Sequence, residues 1–193
     1  MRFFNFVSSF FLDLIETFVI GLSIFLVVYL FLMQPHQVSG QSMEPNFQSG
    51  DYLLTDKVSY RIGVPKRGDV VVFHAPSRAN CPTGTGCDYI KRVLGLPGET
   101  VEVKDNEGIF INGKKLIEPY IPPENITLAG QYTRGQIVNL TENEYFVVGD
   151  NRMHSSDSRA WGPISKSEIV GRAFFRYWPL TKAQVVPGIS YSL

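Results

Sequence analysis

Three short stretches of this chain gather polar side chains within an apolar, strand-like sequence. The first is "SGQSMEP", residues 39–45, which follows a run of apolar residues and carries Ser39 and Ser42. The second is "DYIKRVLGLPGE", residues 88–99, where Lys91 and Arg92 interrupt a β-like segment. The third is "GDNRMHSSDSRAWGP", residues 149–163, with Ser155, Asp157 and Arg159. A serine hydroxyl becomes a nucleophile when a base takes its proton. Lysine can be that base only if burial lowers its pKa. At its ordinary value of about 10.4 only ~0.04% is neutral at pH 7, a deficit of about 4.6 kcal/mol. Strand alternation puts Tyr89 and Lys91 on one face and Ile90 and Arg92 on the other, so one cation must face inward or lie along a groove. A Ser–Lys dyad is one reading of these residues. Two solvated cations decorating a strand is the other, and residue types alone leave both open.

A Ser-His-Asp arrangement competes, because His154 adjoins Asp150 and Asp157 and His74 lies in a strand-like segment. No nucleophile-elbow motif accompanies it, which weakens the case. Cys81 and Cys87 have neither a second cysteine pair nor a nearby histidine to complete a zinc set, so no metal or other cofactor is expected. The pair reads as a local disulfide or as two free thiols. A disulfide would place the domain in an oxidising compartment and contribute about 2.4 kcal/mol across so short a loop.

The elements that must position these residues follow from the apolar pattern. Residues 17–33 contain no charge, and none follows until Glu44. As a helix this core spans about 26 Å, close to the hydrocarbon thickness of a bilayer. A removable signal peptide is the alternative, but its apolar core would be shorter. The chain therefore divides into a membrane anchor, residues 1–36, and a domain of residues 37–193. Beyond residue 50 the segments "DYLLTDKVSY", "GDVVVFHA", "DYIKRVLGL", "ETVEVKD", "GIFING", "GQIVNL", "EYFVVGD" and "IVGRAFFRYW" are rich in Val, Ile, Phe and Tyr, with Gly, Pro and Asn-Gly between them. They predict a mainly β, antiparallel domain behind one transmembrane helix, with a hairpin over residues 99–116 and a capped turn at "SKSE". The 18 acidic and 18 basic residues cancel, so nothing in the charge points to nucleic acid.

Taken together, the three stretches resemble the bacterial type I signal peptidases, membrane-bound serine endopeptidases that remove signal peptides from exported proteins. They occur in that family's order, and "PKRGDVVVFHAP" is similar to its strand between the first two. The resemblance implies Ser42 as nucleophile, its backbone N–H as oxyanion donor, and Lys91 as general base. It implies that Ser155 orients the lysine amine, with Asp157, Arg159 and Arg92 as a supporting charge network. It further implies that Gln37, Val38, Ser39, Gly40 and Gln41 on one side, and Asp88, Tyr89 and Ile90 on the other, flank an extended substrate as strands. Some family members carry a serine hydroxyl where this chain has Gly40, so a side-chain oxyanion donor is missing at that position. The implied substrates are signal peptides of preproteins, cut after small-x-small sites. The implied location is the cytoplasmic membrane, in contact with its lipid, with the domain on the extracytoplasmic face. The alternatives are a dedicated maturation peptidase of the same chemistry, or an inactive module that only holds signal peptides.

Overall fold

A computed structural model describes residues 2–79, 81, 87–189 and 191, the side chains of residues 2–9 excepted. Helix α1 (Arg2–Val27) widens into a π turn, Val28–Leu32, and runs directly into strand β1 (Met33–Gln37). The stretch Phe10–Leu32 has a mean hydropathy of 2.4 and contains no buried residue. The expected anchor therefore ends earlier than residue 36. Met33 already pairs with Asp56, and Gln37 with Tyr52. β1 escaped sequence reading because "MQPHQ" holds a proline. Pro35 is tolerated there because β1 is the edge strand of its sheet.

The segments read as strands are strands. They supply β2 (Tyr52–Asp56), β3 (Val70–His74), β4 (Asp88–Gly95), β5 (Thr100–Lys104), β6 (Gly108–Ile111), β8 (Ile137–Asn139), β9 (Glu144–Val148) and β11 (Ile169–Trp178), and three two-residue strands outside those segments join them, β7 (Lys114–Lys115), β10 (Ile164–Ser165) and β12 (Gln184–Val185). Two helical turns, α2 (Ser59–Ile62) and α3 (Ser158–Trp161), interrupt them. The first of these lies inside "DYLLTDKVSY", so that segment is a strand only in its first half. At "SKSE" the Glu168 carboxylate accepts the Ser165 N–H at 2.7 Å, the capped turn expected there.

The described residues form two antiparallel sheets. One runs β1-β2-β11-β3-β4-β9-β10 with β12 attached to β11, and the other runs β7-β6-β5-β8. In the smaller sheet Val101, Val103, Ile109 and Ile111 alternate inward with polar neighbours outward, and they close a core with Leu94, Phe146 and Val138. The Asn112-Gly113 turn lies between β6 and β7, with both residues at positive φ. In the larger sheet β4 is central, between β3 and β9, and residues 91–95 are all buried. Lys91 and Arg92 are therefore both interior, on opposite faces, where alternation had required only one of them to be.

Candidate active site

The nucleophile candidate sits where β1 gives way to a turn. The Val38 N–H donates to Asp51 O at 2.8 Å and the Gly50 N–H to Val38 O at 2.9 Å, so the pairing of β1 with β2 persists one residue past the strand. Gly40 then turns the chain at φ +90°, a conformation that disfavours any side chain. That is a physical reason for glycine at this position. Met43 and Phe47 are buried beneath the turn and fix Ser42 at its top. The Asn151 N–H donates to Ser42 O at 3.0 Å. Gly149 lies so close that an added Cβ would collide with both Ser42 O and Ser155 Oγ.

Lys91 reaches this turn from the middle of β4, only 4% exposed. Its Nζ lies 2.8 Å from Ser42 Oγ and 2.9 Å from Ile90 O. Burial, which disfavours the ammonium, lowers its pKa to about 8, although the Asp157 and Asp150 carboxylates pull it back up. At that value roughly one molecule in ten holds the amine neutral at pH 7, so most of the deficit of an ordinary lysine is gone.

Two buried ion pairs flank the dyad. Asp157 accepts from Arg159 Nε and Nη2, both at 2.8 Å, and from the Gly149 N–H at 3.0 Å. Burial pushes this carboxyl up, but the guanidinium and these hydrogen bonds hold it below its ordinary value. Asp150 accepts from Arg92 Nε at 2.8 Å and Nη2 at 2.6 Å, while Arg92 also donates to Gly68 O at 2.9 Å and lies over the Tyr120 ring. Asn46 Nδ2 adds a bond to Asp150 at 2.9 Å. With both carboxylates bound to arginines, neither serves a histidine. His154 is exposed and touches Asn151 instead. The Ser-His-Asp reading built on His154 therefore has no geometry behind it.

Beside the dyad lies a cleft of about 300 Å³, lined by Gln37, Val38, Ser39, Gly40 and Gln41 on one wall and by Asp88, Tyr89, Ile90 and Lys91 on the other. The residues expected to flank a substrate are thus brought together, with one correction. The strand ends at Gln37, because the turn that carries Ser42 draws residues 39–41 out of the sheet. A second correction concerns Ser155, which was expected to bond the amine. Its Oγ is buried and makes no hydrogen bond to Lys91, whose contacts are to Ser42 and Ile90. Cys81 and Cys87 are joined as a disulfide just before β4.

Three features were missed from sequence. The Arg92–Asp150 pair links residues 58 apart, and only the fold reveals such a pair. Asn125 belongs to a glycosylation triplet, but its amide spans Asp150 O at 2.7 Å and the Arg152 N–H at 3.1 Å. His36, in the cleft wall, lies 3.0 Å from Thr55 Oγ1 and 3.6 Å from Asp88, whose other oxygen is 2.7 Å from His74. No local sequence signal joins those three.

The family model for signal peptidase, peptidase S26, matches residues 11–178. A signal peptidase I of Bacillus caldolyticus is 40% identical over 78% of this chain and 82% of its own. A signal peptidase IB of Staphylococcus aureus (strain COL) is 36% identical over 89% of this chain and 91% of its own. A solved signal peptidase I structure from Enterococcus faecalis V583 is 36% identical, covering 56% of this chain and 95% of that one, with a TM-score of 0.44.

Proposed function

This chain belongs to the peptidase S26 family of signal peptidases, and from that premise we propose that Ser42 and Lys91 are the dyad with which it works. It is a serine endopeptidase that cleaves signal peptides. The single observation that carries the assignment of residues is the 2.8 Å contact between Ser42 Oγ and the buried Lys91 amine.

Neutral Lys91 takes the Ser42 proton as Oγ attacks the scissile carbonyl. The family resemblance assigns the developing oxyanion to the Ser42 N–H. Lys91, now an ammonium, hands its proton to the leaving amine. The acyl-enzyme then reacts with water, which Lys91 deprotonates in turn. In the ammonium state the side chain has three N–H donors to place. Ile90 O takes one, and a small rotation of the amine toward the buried Ser155 Oγ would place another. Asp157–Arg159 and Asp150–Arg92 hold the strand and turn that fix this distance.

The substrate is an extended segment of an exported preprotein, lying between residues 37–41 and 88–90. Val38, Leu53, Val72 and Ile90 make part of the cleft apolar, as the small apolar residues of small-x-small sites require. The Phe10–Leu32 helix holds the protein in the cytoplasmic membrane, with the peptidase domain on the extracytoplasmic face, where the Cys81–Cys87 disulfide is chemically at home. The test is processing of a model preprotein by the purified full chain in detergent, wild type against Ser42→Ala. Processing by wild type that is lost in the variant supports the dyad. Cleavage retained above a tenth in a folded Ser42→Ala protein overturns it.

A further inference from the structure

The loop after β2 presents an unusual surface. Ile62 is 88% exposed and Val64 59%, two aliphatic side chains at a tip with Arg61 and Lys66 exposed beside them. This loop is fastened to the end of the apolar helix. The Lys57 N–H donates to Leu32 O at 3.0 Å, Lys57 Nζ to Leu30 O at 3.3 Å, and the Arg61 guanidinium lies 6.0 Å from the Phe31 ring centroid. From behind, Lys166 Nζ donates to Gly63 O at 3.1 Å and sets the tip outward. The neighbouring carboxylates are turned away. Asp56 accepts the Val58 and Ser59 N–H groups, and Asp69 accepts from the Tyr60 hydroxyl and the Lys66 N–H. Among the described residues neither Arg61 nor Lys66 has a carboxylate partner.

We infer that the 57–66 loop is a second membrane contact, with Ile62 and Val64 dipping into the headgroup layer and Arg61 and Lys66 engaging anionic lipid phosphates. An aliphatic tip ringed by cations is the composition that favours a negatively charged bilayer surface. The hydrogen bonds to Leu30 and Leu32 put this tip beside the point where the helix leaves the bilayer, so no rearrangement is needed to reach lipid. Two contacts, the helix and the loop, fix the tilt of the domain where the helix alone would leave it free to swing. The inference rests on the reading of Phe10–Leu32 as the membrane anchor.

The experiment uses the full chain in vesicles of phosphatidylcholine, alone or mixed with phosphatidylglycerol, with nitroxide-bearing headgroups as quenchers. Single cysteines introduced as Ile62→Cys, Phe18→Cys and Ile126→Cys carry an environment-sensitive fluorophore, the two native cysteines being joined to each other. Quenching at position 62 several-fold above that at position 126, stronger in anionic vesicles and reduced several-fold by Arg61→Glu with Lys66→Glu, is the expected result. Position 62 no more quenched than 126, while the position 18 fluorophore is blue-shifted as in hydrocarbon, overturns the inference and leaves the anchor standing. A water-like spectrum at position 18 overturns the anchor itself. Quenching at 62 that ignores both lipid charge and the charge reversals overturns the assignment to anionic headgroups.

Discussion

The two sheets of this protein solve the same packing problem in opposite ways. The β5–β8 sheet is filled by Val101, Val103, Ile109, Ile111 and Val138, all apolar and alternating with a period of two. The larger sheet buries Lys91 and Arg92 in its central strand, against Asp150, Asp157 and Arg159 from the segment that follows β9. Four of those charges cancel as two bidentate pairs, while Lys91 remains without a carboxylate bonded to it. A region that needs only to persist can use burial alone. One that must keep a base reactive gives up stability to hold an amine where it does not want to be charged.

Replacing Lys91 tests that contrast most directly. Lys91→Met should lower kcat/KM by ~10³-fold or more, because the dyad acts as a unit, while Ile109→Ala in the small sheet leaves it within about twofold. Initial rates on one preprotein with both variants decide this, and comparable losses would erase the distinction between the regions. Asp157→Asn comes next. It leaves Arg159 charged and buried without its partner, which should cost about 3–5 kcal/mol in a denaturant titration. Loss of a carboxylate that raises the lysine pKa should also move the pH profile to the acid side. A cost under ~1 kcal/mol would show the pair to be ornamental.

On the proposed role of Lys91, the neutral amine is the working form, and burial lowers its pKa to about 8. The rate should therefore rise roughly 90-fold from pH 6 to pH 9 and level off above, when chemistry limits turnover. A flat profile over that window would remove Lys91 from the role of base.

The same residue should show the opposite sign in stability. A lysine whose pKa is lowered on folding binds its proton more tightly when unfolded, so the unfolded state is favoured below the folded value. The penalty disappears only as pH climbs from about 8 towards the ordinary lysine range. Lys91→Met should thus stabilise the protein by roughly 1–3 kcal/mol at pH 7, with a smaller gain at pH 10. Destabilisation at pH 7 would contradict the cause assigned to the pKa. The smallest effect belongs to the surface of the small sheet. Lys104→Ala removes an exposed pair with Glu102 at 3.5 Å and should change stability by no more than ~0.5 kcal/mol.

Legibility from sequence divides along the same line. The small sheet was plain, since its alternation, its Asn112-Gly113 turn and its Val/Ile content are local signals. In the larger sheet the strands were plain too, but not what their charges meet. Arg92 and Asp150 are paired by the fold across β4 and β9, and nothing near either residue in sequence announces the partner. β1 was hidden because Pro35 contradicts a strand unless its place at the edge is already known. The positions of Ser42, Lys91 and the cleft residues came from family resemblance. Their distance, the lack of a hydrogen bond from Lys91 to Ser155 and the end of β1 at Gln37 came only from three dimensions.

The direct run from Leu32 into β1 at Met33, with no linker between them, has a kinetic consequence. Ten residues from the end of the helix, Ser42 can never stand more than about 35 Å from it. With that helix in a bilayer, search becomes two-dimensional. A preprotein segment emerging beside the enzyme shares with the nucleophile a half-sphere of that radius, equivalent to a local concentration on the order of 10 mM. Even weak contacts along the cleft then suffice to keep it filled.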